Sequence, residues 1–172
     1  MSKDGRVIPY LTVKGARDAI KYYEDAFDAE IEDIMLTDDG KLVVHADLEI
    51  NDANIMLADE IGEADGGTRS PLSVGGASVS IFLSLKKPKQ VDRMMEQARA
   101  AGGEIVAPAA DTYWGARYGK VRDPFGHIWS FNAPLKKKHK RYDDEERGEN
   151  ARHEMSDDHD VANDNGNIGD KD

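Results

Sequence analysis

His45 and Asp47 stand two residues apart in the alternating stretch Lys41–Ile50, so on a strand their side chains emerge on one face. An imidazole beside a carboxylate is an acid–base pair, and either group can act as general base or hold a proton for a bound molecule. The duller reading is a surface His/Asp pair on a sheet edge, short of ligands for a metal ion. Tyr113, Trp114, Arg117 and Tyr118 form a second group, aromatic and basic. Planar rings and a guanidinium suit stacking and anion contact at a cavity mouth, though loop packing with a salt bridge uses the same residue types. His127 follows Gly126 and is read as a hairpin cap. His139, His153 and His159 lie among carboxylates and suit adventitious metal binding only. The absence of cysteine excludes disulfides, thiolate catalysis and Cys-ligated metals.

The elements that must carry these residues follow one order twice. Val7–Val13 reads as a strand, broken at Lys14-Gly15. A helix follows with Ala16, Ala19, Ile20, Tyr23 and Phe27 on one face. Three strands come next: Glu30–Leu36, Lys41–Ile50 and Ala53–Ala58, with Asp39-Gly40 and Asn51-Asp52 at the turns. Residues 59–76, rich in Gly, Asp, Ser and Glu, read as a linker or mobile loop. The order then repeats: strand Ser78–Leu85, a helix opening at Pro88 with Val91, Met94, Met95, Ala98 and Ala101 inward, and a Gly102-Gly103 stop. Strands Glu104–Ala107, Tyr118–Arg122 and His127–Asn132 close the second unit, the last two joined by a type I turn, Asp123-Pro124-Phe125-Gly126.

Strand parity sharpens the site. One face of nearly every strand is aliphatic or aromatic: Val7, Leu11 and Val13; Val44, Ala46, Leu48 and Ile50; Ile55 and Leu57; Val79, Ile81, Leu83 and Leu85; Trp129 and Phe131. The other is mixed and includes Tyr10, Thr12, Val43, His45, Asp47, Met56, Phe82, Ser84, Ser130 and Asn132. Large Tyr, Met and Phe side chains among polar groups are what a ligand cavity needs, where a solvated sheet face would be polar throughout.

Composition limits the partners. The chain carries a formal charge of −11 over 172 residues. The part from Lys136 onward has eight Lys/Arg against twelve Asp/Glu and almost no apolar residues. Such material does not bury enough surface to offset roughly 1–2 kcal/mol of backbone entropy per residue, so a disordered tail is expected. An acidic body is unsuited to phosphate backbones, so no nucleic-acid partner is expected. No apolar run approaches membrane-spanning length and the start has no apolar leader, so no membrane partner and a cytoplasmic location are expected.

Val7–Val13, Tyr22–Phe27, Ile55–Glu60 and above all Tyr113–Gly119 with Arg122–Trp129 resemble the vicinal oxygen chelate superfamily of glyoxalases, bleomycin resistance proteins and dioxygenases. Within it they look most like PhnB-like proteins. The resemblance covers about residues 6–134. It implies an α+β fold with tandem βαβββ modules forming a cupped eight-stranded mixed sheet around a ligand cavity, and commonly a homodimer. The expected organisation is a first module at 6–60, a linker loop at 61–76, a second module at 77–134 and the tail at 135–172. In metal-dependent members His or Glu side chains hold the ion from the first and last strand of each module. Those positions fall here near Ile8, Met56, Ser80 and Ser130, none a competent ligand, and a shift by one residue recovers no set.

The favoured expectation is therefore a small-molecule binder without a metal or other cofactor. Its ligand-binding residues are Tyr10, His45, Asp47, Met56, Phe82, Trp114, Arg117, Tyr118 and Ser130, with His45 and Asp47 as the catalytic candidates if chemistry occurs. The alternatives are a glyoxalase-like lyase, isomerase or dioxygenase using a divalent ion at a non-standard position such as His45, and a protein that recruits a partner through its tail.

Overall fold

The structure, a computed structural model, describes residues 5–135. The tail expected from Lys136 onward lies outside the described residues. The first unit runs β1 (Tyr10–Val13), α1 (Ala16–Phe27), β2 (Glu30–Leu36), β3 (Val43–Ile50) and β4 (Ala53–Asp59). A 3-10 turn at Gly62–Asp65 and a short helix α2 (Pro71–Val74) lead into the second: β5 (Ser80–Ser84), α3 (Pro88–Ala100), β6 (Glu104–Asp111), β7 (Ala116–Arg122) and β8 (Ile128–Pro134). The α+β class and the repeated order agree with the sequence. The eight strands hydrogen-bond as two four-stranded mixed sheets, β1-β4-β3-β2 (sheet A) and β5-β8-β7-β6 (sheet B). In each, the first strand of the unit runs parallel to the last and the other pairs are antiparallel.

The predicted alternation sets the core. Leu11, Val13, Ala46, Leu48, Ile50, Ile55 and Leu57 from sheet A are buried, as are Leu83, Val121, Trp129 and Phe131 from sheet B. Helices α1 and α3 lie among these faces, burying Ala19, Ile20, Tyr23 and Phe27 from one and Val91, Met94, Met95 and Ala98 from the other. The units share this core. The Phe27 ring of α1 sits 4.7 Å from Trp129 and 5.5 Å from Phe131 on β8, and Tyr23 lies 5.3 Å from Trp129. Aromatic pairs at such separations are worth about 0.5–1.5 kcal/mol beyond the area they bury.

Two buried carboxylates fix the joints. Asp59 Oδ1 accepts the N–H groups of Gly15 (3.0 Å) and Ala16 (2.8 Å), and its Oδ2 accepts that of Val43 (2.9 Å). A negative charge at the start of α1 is favoured by the helix dipole and satisfies donors the helix leaves unpaired. Asp123, 2% exposed, accepts the N–H groups of Phe125 and His127 on Oδ1 (both 2.9 Å). On Oδ2 it accepts the Tyr23 hydroxyl (2.8 Å) and the Trp129 indole N–H (2.9 Å). Burial, then the Asp123 charge, pushes the Tyr23 hydroxyl far above its ordinary range, keeping it a donor.

Some element ends differ from the sequence reading. The first ladder starts at Tyr10, because Pro9 has no N–H to donate, and Val7 is fully exposed. Strand β6 continues past Ala107 to Asp111 and absorbs Pro108 on an edge strand with two register irregularities, a place where proline is tolerated. Val43, expected on the mixed face, is buried, because the register with β2 slips between Met35 and Leu36. The segment read as a loop is tied down. The Glu60 carboxylate accepts the Ser70 N–H (2.9 Å), the hydroxyls of Ser70 (2.7 Å) and Ser73 (2.6 Å), and Arg69 Nε–H (2.7 Å). These bonds, the Ser73 and Ser70 hydroxyls foremost, lower the Glu60 carboxyl to about 2.

Candidate functional site

The face of sheet A opposite the helices gathers Tyr10, His45, Asp47 and Met56. Register does this: Tyr10 on β1 lies beside Met56 on β4, and Met56 lies opposite Asp47 on β3. His45 projects from the same face and bridges the other two polar groups. Its Nδ1 is 3.1 Å from the Tyr10 hydroxyl and its Nε2 is 3.1 Å from Asp47 Oδ2. The Tyr10 and His45 rings meet edge to face at 5.6 Å. Tyr10 is 50% exposed, and the His45 and Asp47 side chains are partly exposed. The neighbouring edge strand β2 puts Asp33 opposite Asp47, Met35 opposite His45 and Glu30 opposite Glu49. Like charges directly opposite destabilise a strand pair, so this face carries electrostatic tension and a negative potential.

The corresponding face of sheet B gathers Phe82, Ser130, Tyr118 and Trp114. Phe82 pairs with Ser130 across the parallel ladder, and Ser130 faces Lys120 on β7. The Ser130 hydroxyl, 1% exposed, accepts from Tyr118 at 3.2 Å and lies 3.4 Å from that of Ser80. Trp114 meets Tyr118 at 5.9 Å and Tyr113 at 4.8 Å, all edge to face, and Phe82 is 58% exposed. The result is a hydroxyl floor with aromatic walls.

The predicted residues thus stand as two groups on separate sheets, and Arg117 joins neither. Alternation turns it away from Tyr118 toward α3, where Asp92 Oδ1 accepts from Nε (2.9 Å) and Nη2 (2.7 Å), and Asp111 Oδ1 accepts from Nη1 (3.1 Å). His127 behaves as a structural cap: its N–H goes to Asp123 and its Nε2 lies 3.1 Å from the Thr12 carbonyl. Asp33 was missed by the sequence reading. Its place opposite Asp47 depends on a bulge between Ile31 and Asp33 that shifts the parity of β2, and no local pattern marks it.

The positions where the superfamily's metal-dependent members hold an ion do not suit one. They present an alkyl chain (Ile8), a thioether (Met56) and the paired hydroxyls of Ser80 and Ser130, which are weak donors for a hard or borderline divalent ion. Among the described residues no three His, Asp or Glu side chains converge on a common point.

Paired βαβββ units with helices on one side and an open, mixed face on the other define the class of protein. Residues 6–131 match the Glyoxalase/Bleomycin resistance protein/Dioxygenase superfamily, and the chain belongs to it. An uncharacterised protein of Mycobacterium tuberculosis is 41% identical over 129 residues, 74% of each chain. The crystal structure of a Pseudomonas aeruginosa protein superposes with a TM-score of 0.61 at 22% identity, covering 77% of this chain and all of that one. A PhnB protein from Bacillus cereus gives 0.57 at 21% identity, over 75% and 99% of the two chains. At these identities the solved structures speak for the fold.

Proposed function

We propose that this glyoxalase/bleomycin-resistance-like protein binds a small organic ligand on the open sheet faces and does so without a metal ion. The observation that carries the reading is the pairing of half-exposed rings with convergent polar groups. Tyr10 stands over His45 and Asp47 on sheet A, and Phe82 and Trp114 flank Ser130 and Tyr118 on sheet B. Solvated sheet faces do not keep Tyr, Phe and Trp side chains exposed in groups, whereas ligand sites combine apolar walls with a few placed polar atoms. The weak donor set at Ile8, Met56, Ser80 and Ser130 supports the metal-free form. Within the superfamily the PhnB-like group is the nearest fit by motif, and the likeness to the Bacillus cereus PhnB protein supports it.

The working unit on this reading is a homodimer. Sheet A's open face carries Asp33, Asp47 and Glu49, and sheet B's carries Lys120, so sheet A of one copy is complementary to sheet B of the other. A cytoplasmic location fits: among the described residues no helix is long and apolar enough to cross a membrane.

Metal analysis of purified protein and a thermal-shift screen over small aromatic and glycopeptide ligands test the proposal together. Substoichiometric metal and saturable stabilisation support it, a ligand at about 100 times its Kd adding about 2.7 kcal/mol. Stoichiometric Zn²⁺, Ni²⁺ or Fe²⁺ lost in His45→Ala overturns the metal-free reading in favour of the metal-dependent alternative.

A further inference from the structure

We propose that Tyr10, His45 and Asp47 form a proton relay that needs no metal and converts neutral enols to their carbonyl forms. The inference rests on the reading of sheet A's open face as a ligand site. The hydrogen bonds fix the order of the relay. Asp47 Oδ2 is acceptor-only as a carboxylate, so His45 carries its proton on Nε2, and Nδ1 is left as acceptor for the Tyr10 hydroxyl. The Val44 carbonyl also lies near that hydroxyl, at 3.3 Å against 3.1 Å for Nδ1. Tyrosine is the member that reaches furthest into solvent, and it is the one to touch a ligand. His45 takes up its proton, and Asp47 positions the ring and stabilises the imidazolium, the division of labour of a hydrogen-bonded triad.

The substrate class follows from the surroundings. A phenol exchanges protons most readily with a group of similar acidity, and an enolic O–H is such a group. Asp33 opposite Asp47, and Glu49 and Glu30 one step along the ladder, repel anions, so the substrate is neutral. Met56 beside Tyr10 and Met35 opposite His45 offer adaptable apolar contact, and the Tyr10 ring offers a stacking surface for a flat conjugated molecule.

The step balances. The Tyr10 oxygen takes the enol O–H proton while its own proton passes to His45 Nδ1, leaving an enolate and an imidazolium held by Asp47. Tyr10 then gives the proton it has taken to the enolate carbon, forming the C–H bond, and recovers its own proton from His45 Nδ1. The net change is enol to carbonyl compound, with the relay restored and no oxidant or reductant consumed.

The probe is pentane-2,4-dione, a neutral diketone whose enol absorbs in the ultraviolet. Its enol fraction is diluted from an apolar solvent into full-length protein and the loss of absorbance is followed, with binding of the same dione read by thermal shift. The wild type is expected to speed ketonisation above the buffer rate. Tyr10→Phe should retain binding and lose about 100-fold of the catalysed rate, within the usual span for a general acid–base group. Asp47→Asn should retain binding, slow the step about tenfold, and move the His45 ring ¹⁵N signals away from the Nε2–H tautomer, a change that loss of packing alone would not give. A wild-type rate equal to buffer, with or without binding of the dione, overturns the relay, as does an undiminished rate in Tyr10→Phe. Failure of every ligand in the aromatic screen is a separate result that overturns the binding reading beneath it.

Discussion

Replacing Asp123 by Asn is the sharpest test of how the two units are joined. The substitution conserves shape, and Oδ1 still accepts the N–H groups of Phe125 and His127. The Oδ2 side becomes an NH₂ facing two donors, the Tyr23 hydroxyl and the Trp129 indole N–H. The hydroxyl can rotate and accept, but the indole cannot, so one N–H is left buried and unpaired. Hydrogen bonds to a charged group contribute about 1.5–3 kcal/mol each, and an orphaned buried donor costs about 1–3 kcal/mol. With the tyrosine bond surviving in weaker form, the expected loss is about 2–4 kcal/mol. Tyr23→Phe, which removes a donor and leaves the carboxylate its other three, should cost about 1–2 kcal/mol. Urea unfolding followed by Trp fluorescence reads both. The double variant should cost less than the sum, because the two singles disturb the same bond. A loss below about 0.5 kcal/mol for Asp123→Asn, or strict additivity, would refute the reasoning and show that aromatic packing alone joins the units.

Further outcomes follow from other sites. The Glu60 carboxyl is lowered from 4.5 to about 2 in the folded protein, so its contribution is complete above pH 4.5 and is lost as pH falls through that window toward 2. Glu60→Gln should flatten the acid limb of the stability–pH curve there and speed tryptic cleavage at Arg69; an unchanged acid limb would remove Glu60 from the account. Gly103→Ala places a Cβ 2.5 Å from the Tyr22 hydroxyl and 2.8 Å from the Ala98 carbonyl, and since the latter is backbone the strain cannot relax locally. A loss of about 1–3 kcal/mol in a denaturant titration is expected. Ser130→Val removes the acceptor of Tyr118 and should weaken any ligand seated on sheet B at least tenfold by thermal-shift titration while leaving sheet A binding intact.

The sequence by itself determined the order of elements, the helix faces and most of the buried strand faces, with Val7, Val43 and Val79 as exceptions, because 3.6- and 2-residue periodicities are local properties of the chain. Leu11 and Val13, Leu48 and Ile50, and Trp129 and Phe131 are buried as alternation required. It also put His45 and Asp47 on one face, a consequence of spacing alone. It did not determine which distant groups meet. Tyr10 reaches His45 only because β4 lies between β1 and β3, and Asp33 faces Asp47 only because β2 is bulged. Arg117, grouped by proximity with Trp114 and Tyr118, is drawn to α3 by Asp92, a residue 25 positions away. The Asp123 turn, legible as a turn, gained its second role from Tyr23, 100 residues distant. Register, bulges and long-range ion pairs are decided by the packing of whole elements, and that is where the candidate site was settled.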